Sequence, residues 1–150
     1  MKKLFYILLF SPLFCTINAQ EVGIRFGEMA GNNVAIDGVY NFKEGRVHAD
    51  ITFGKSVGIY VVYDFIVKPI HGIDDFYYYL GIGLTTLIQS DFELGAAAEV
   101  GIEYRFPKSP LTLSLDYRPT IVIIESTDFH WYGFGLNLRY VLRNNDKMNK

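Results

Sequence analysis

The sequence predicts an all-β chain, an eight-stranded antiparallel up-and-down transmembrane β-barrel that follows a cleaved signal peptide. Three observations predict it. Eight segments alternate apolar and polar residues with period two, and none has convincing helical periodicity. Lysine is missing from those segments, while arginine, aspartate and glutamate occupy one of their two faces. Aromatic residues gather near the segment ends on the other face.

The 150 residues suit one domain, divided as a leader at 1–19, a barrel at 20–142 and a polar tail at 143–150. Lys2 and Lys3 form the charged start of the leader, residues 4–14 its apolar core, and Ile17-Asn18-Ala19 the cleavage region. That core is too short to span a bilayer. Cys15 follows Phe14 rather than a small residue, so it reads as part of the leader and not as a lipid-attachment site. Cleavage after Ala19 leaves 131 residues and no cysteine. Without disulfides, an exported chain needs a sizeable core or full sheet closure. Removing Lys2 and Lys3 from the 14 basic residues leaves 12 against 16 acidic ones, a net charge of −4 with His neutral. No basic stripe is present, so nucleic acid is not an expected partner. No later run is long and apolar enough for a spanning helix, but a spanning strand needs only about 9–11 residues.

In order, residues 21–27 set Val22, Ile24 and Phe26 against Glu21, Gly23 and Arg25. A break at Gly31-Asn32-Asn33 precedes 34–42, where Asp37 and Asn41 share the polar face, and Lys43-Glu44-Gly45 is a turn by composition. Residues 46–53 place Arg46, His48, Asp50 and Thr52 opposite Val47, Ala49, Ile51 and Phe53. After the hairpin at 54–56, residues 57–67 carry one charge, Asp64, and 68–75 read as a loop with Pro69 and Gly72. Residues 76–88 put Tyr77, Tyr79, Gly81, Gly83 and Thr85 on the polar side. Residues 94–106 do the same with Gly95, Ala97, Glu99, Gly101, Glu103 and Arg105. Pro107 to Pro110 turn the chain into 111–124, whose polar face holds Thr112, Ser114, Asp116 and Arg118. A loop at 125–130 leads to the closing strand 131–142, with Gly133, Gly135, Asn137 and Arg139 opposite large apolar residues.

Alternation alone does not say which face points outward. After the leader, Lys43, Lys55, Lys68, Lys108, Lys147 and Lys150 all fall in expected turns or the tail, whereas water-facing strands would carry some lysine. The strand charges are arginines and carboxylates, a mixture suited to a crowded interior where guanidinium forks meet carboxylates. Seven glycines share that face, leaving room for large polar neighbours in a narrow lumen. An arginine facing lipid at mid-depth costs about 2–4 kcal/mol. The charged face is therefore expected inside, as a structural polar network of Arg25, Asp37, Arg46, His48, Asp50, Asp64, Glu99, Glu103, Arg105, Asp116, Arg118 and Arg139. Arg139 then needs an acidic partner, and Glu21 on the first strand is a candidate.

With this pattern the chain resembles the small eight-stranded outer-membrane β-barrel family of OmpA-, OmpX- and OmpW-type transmembrane domains. Gly135-Leu136-Asn137-Leu138-Arg139-Tyr140 looks like the terminal signal read by the barrel-assembly machinery, although ten residues follow Tyr140. Asp116-Tyr117-Arg118-Pro119 resembles a strand motif of uncharacterised barrels of this kind. There is no room for a peptidoglycan-binding domain. The resemblance implies an integral, porin-like membrane protein of a Gram-negative cell envelope. Its expected partners are outer-membrane lipid and, during biogenesis, the assembly machinery.

No cofactor or catalysis is expected. The charges are read as a salt-bridge plug, because an eight-stranded lumen is just filled by side chains. His48 and Asp50 are two candidate metal ligands, too few for a coordination shell. Ser126, Asp128 and His130 cluster in the last loop, but alternate loop residues rarely converge as a catalytic set. Tyr77-Tyr78-Tyr79 reads as one girdle residue between two lumenal ones, and His71 has no identifiable partner. The expected outer loops at 28–33, 54–56, 89–93 and 125–130 are short, which favours a structural or envelope-maintenance role. The alternatives are a narrow small-solute channel, a lipid-modifying barrel enzyme, or a soluble periplasmic ligand-binding barrel.

Overall fold

The computed structural model describes residues 20–88, 92–124 and 128–142; the expected leader (1–19) and polar tail (143–150) lie outside the described residues. Ten strands follow in order: β1 (Glu21–Met29), β2 (Asn32–Phe42), β3 (Gly45–Gly54), β4 (Val57–Pro69), β5 (Phe76–Ile88), β6 (Phe92–Arg105), β7 (Leu111–Tyr117), β8 (Thr120–Ile124), β9 (Asp128–His130) and β10 (Phe134–Val141). β7 and β8 lie end to end along β6, and β9 and β10 lie end to end along them. The ten segments therefore make eight staves. Neighbours run antiparallel, and β10 returns to β1 from Glu21↔Val141 to Gly27↔Gly135. The sheet is a closed eight-stranded barrel, and closure removes the unpaired edges that an open sheet would expose.

Several boundaries differ from the sequence expectation. The first turn is Ala30-Gly31, with φ of 49° and 92°, not residues 31–33. Positive φ at both central positions is the two-residue hairpin turn that follows strand twist. Asn32 consequently belongs to β2 and is buried. β4 extends to Pro69, so Lys68 sits at a strand end rather than in a loop. The expected strand 111–124 is interrupted at Arg118-Pro119, where proline supplies no ladder donor. Residues 131–133 are not strand, whereas Asp128–His130, expected as loop, pairs with β8.

Polarity is inverted relative to a water-soluble barrel. Every strand carries exposed large apolar residues on its outer face, with Ile82 at 62 % and Phe134 at 65 % exposure. The inward positions hold the charged residues of the strands, together with small residues and a set of apolar and aromatic ones such as Val62, Tyr60 and Tyr79. Aromatic rings circle the end where residues 20 and 142 meet: Phe76 packs on Tyr104, and Tyr104 on Phe106, each at 4.8 Å, with Tyr40 against Phe42 at the same spacing.

Candidate functional site

The lumen is the candidate site, and period two places its side chains. Positions 21, 23 and 25 of β1 point inward with 37 and 39 of β2 and 46, 48 and 50 of β3, because register pairs Gly23 with Asp37 and Asp37 with Asp50. Residues far apart in sequence thus face one another across a narrow space.

Arg139 on β10 is the main junction. Its Nε donates to Glu21 at 3.0 Å, its two terminal nitrogens donate to Asp37 at 3.3 Å and Glu103 at 2.8 Å. It also lies 3.0 Å from His48 Nε2. A guanidinium can only donate, so Nε2 accepts, and the ring proton sits on Nδ1, facing Glu99 at 3.1 Å. Glu103 joins Arg139 to Arg46, whose Nε reaches Asp64 at 2.7 Å. Arg118 bridges Asp50 and Glu99. These contacts form one continuous network through the middle of the barrel.

A second cluster lies on the β1–β10–β7 side. Arg25 pairs with Asp116 at 2.5 Å and also donates to the Gly133 carbonyl. Asn137 donates to Ser114 and Asp116. Close approach explains the glycines here: a Cβ on Gly135 would run into the Arg25 guanidinium, and one on Gly101 into the Tyr79 ring. Tyr79 in turn lies beneath Arg46, 4.3 Å from ring centre to guanidinium carbon, and edge-on to His48.

The structure brings eleven of the twelve expected residues fully inside; Arg105 stands at the rim, one-third exposed, over the Tyr77 ring and against Glu103. Among the described residues, seven buried carboxylates face four fully buried arginines. Asn32 was missed. Its place beside Gly31 suggests a turn, yet its amide donates to Thr52 and Ser56 and its oxygen accepts from the Ser56 backbone. Of the tyrosine triplet, Tyr79 is lumenal, Tyr78 outward and Tyr77 half-buried.

His48 and Asp50 do not share a partner: His48 turns to Glu99, and Asp50 to Arg118. His48, Asp64 and Glu99 do offer ligand atoms within 4.8 Å of one another. Each carboxylate, however, already meets a guanidinium, Asp64 that of Arg46 and Glu99 that of Arg118, while His48 Nδ1 faces both and Nε2 meets Arg139. A cation there would sit beside the Arg46 and Arg118 guanidiniums that already offset these two carboxylates, so the group is read as a junction of ion pairs and hydrogen bonds. Asp128 and His130 lie 3.9 Å apart at the opposite rim, Asp128 exposed and His130 half-buried, and Ser126 lies outside the described residues. His71 is exposed in the β4–β5 connection.

Fold and site define a closed antiparallel barrel with a filled, charged lumen and an apolar outer wall. No family model matches the chain, and no curated protein or solved structure matches it.

Proposed function

We propose that the chain is an integral outer-membrane β-barrel of the small eight-stranded kind, non-catalytic and closed to solutes, serving envelope structure or a surface interaction. The observation that carries this is the inverted polarity: apolar side chains cover the wall on every strand, and the ionisable side chains of the strands point into the lumen. In water such a wall would be a very large exposed patch, the usual mark of a lipid or protein contact. In hydrocarbon it is the ordinary outer surface of a spanning barrel. β1 to β6 are 9 to 14 residues long, enough to cross a bilayer when tilted. The aromatic ring at one end suits a membrane–water interface.

Closure to solutes is supported by the filled lumen. Arg25, Arg46, His48 and Arg139 expose no surface, as expected where eight strands leave only room for side chains. On this reading residues 1–19 direct export, and Gly135 to Tyr140 engage the assembly machinery with Leu138 and Tyr140 facing outward.

Extraction from outer membranes tests the reading. Unboiled protein should migrate differently from boiled protein, the behaviour of a closed detergent-resistant barrel. Recovery from the soluble periplasm without detergent overturns it and favours a soluble barrel. Planar bilayers containing the protein should show no steady unitary currents; such currents would replace the closed barrel by a channel. Lipid A masses should be the same with and without the gene, and a changed acyl pattern would establish an enzyme.

A further inference from the structure

The outer wall is not uniformly filled. Across β5, β6 and β8 it dips into a groove of about 680 Å³, floored by Ala96, Ala98 and Pro119 and flanked by Ile82, Leu84 and Phe129. That volume lies within the range of small-molecule sites, about 300–1,000 Å³. Its flanks stand proud: Ile82 and Leu84 are more than half exposed.

The floor also holds a carbonyl that lacks its ladder donor. Ala98 N–H donates to the Pro119 carbonyl at 3.1 Å. Register runs unbroken through this point, from Ala97↔Thr120 to Val100↔Tyr117, so Ala98 and Pro119 are opposed as a hydrogen-bonded pair. In such a pair each residue donates to the other. Proline has no N–H, so the Ala98 carbonyl receives no bond back from the neighbouring stave. In hydrocarbon no water can supply the donor, and an unmet carbonyl there is costly.

We propose that this groove binds the hydroxylated acyl chain of a membrane lipid, with the chain along Ala96 and Ala98 and its hydroxyl donating to the Ala98 carbonyl oxygen. The lining favours a lipid over a protein partner: its side chains are all apolar, and the one polar contact on offer is a main-chain acceptor. The proposal rests on the outer-membrane reading above. In that location the wall is bathed in acyl chains, and a chain carrying a donor is the one that the groove selects.

The test uses protein extracted from outer membranes into detergent micelles and the fluorescence of Trp131, the single tryptophan, two residues beyond Phe129. Brominated myristic acid, with and without a 3-hydroxyl group, serves as the quenching probe. Wild type should bind the hydroxylated acid about five- to tenfold more tightly, the worth of one net hydrogen bond. Pro119→Ala restores the missing N–H and should bring the two acids to equal affinity. Ala98→Leu, which points outward and fills the groove, should reduce quenching by both acids. Equal affinities in wild type, or a hydroxyl preference that survives Pro119→Ala, overturns the proposal. Should Pro119→Ala fail to give a heat-shifted barrel, Ala98→Leu decides: a preference retained there also overturns it. Fractionation keeps the two readings apart. Hydroxyl indifference in a membrane-extracted barrel removes the groove alone, whereas a chain recovered as soluble protein removes the reading beneath it.

Discussion

The two halves of the lumen solve the same packing problem in opposite ways. Toward the end where residues 20 and 142 meet, Arg46, His48, Asp64, Glu103 and Arg139 fill the space as a chain of ion pairs and hydrogen bonds. Toward the other rim, Met29, Ala35, Tyr60, Leu87, Ala97 and Val122 fill it as apolar bulk, interspersed with Thr52, Thr85 and Thr120. Both halves are built from inward-facing strand positions, and β4 and β6 contribute to each. Closure therefore demands filled volume, while charge is optional. Apolar packing tolerates small errors in position. Buried ions do not, because each must meet its partner or carry an uncompensated desolvation cost. The charged half is therefore the part that specifies register, since a slip of one residue would carry its ions to the outer wall.

Single substitutions can break this comparison. The largest effect is expected from Arg139→Leu, which leaves Glu21, Asp37 and Glu103 short of a partner. Removing one side of a buried pair costs about 3–5 kcal/mol, measured here as urea unfolding of the barrel refolded in micelles. Leu138→Ile, the outward neighbour, should cost less than about 1.5 kcal/mol. Equal losses at 138 and 139 would mean that the charged face has been assigned the wrong direction. In the apolar half, Leu87→Ala should cost about 2 kcal/mol, the low end for a large-to-small change, since Leu87 is near the strand end. A loss as large as that of Arg139→Leu would erase the contrast between the halves.

Coupling sharpens the contrast further. Arg46→Ala and Glu103→Ala together should cost less than the sum of the two single changes, by about 1 kcal/mol or more, because the double variant removes both members of one pair. Strict additivity would show that the pair is not formed. The smallest effect is expected from salt. Raising sodium chloride from about 0.05 M to about 0.5 M should scarcely move the unfolding midpoint, since screening acts weakly on pairs without solvent contact. A marked drop would indicate that water and ions reach the network.

Much of the architecture was legible in the residues. The alternation of Arg46, His48 and Asp50 against Val47, Ala49 and Ile51 places each on its face whatever the neighbouring strands do, because the pleat has a fixed period. The confinement of lysine to turns and strand ends spoke for a lysine-free interior, and the interior charges are indeed arginines and carboxylates. Local signals misled where two readings of one residue competed. Asn32 follows Gly31 and looks like turn, but the positive φ of Ala30 and Gly31 completes the turn one residue earlier and frees Asn32 for β2. Pro119 lay within an apolar run and passed as strand; its missing donor interrupts the stave.

Sequence by itself determined which residues share a face, how many staves the barrel has and that the charged face excludes lysine, because these follow from a two-residue period read within each segment. Which residues meet follows from the closed sheet. Arg139 and Glu21 are 118 positions apart, and Arg25 and Asp116 are separated by 91, so their contacts exist only once the last staves close on the first. The same holds for the groove at Pro119: a proline's missing N–H matters only when a particular carbonyl, that of Ala98, is set opposite it. Partner choice depends on register around a closed sheet, and that is a property of the whole ring.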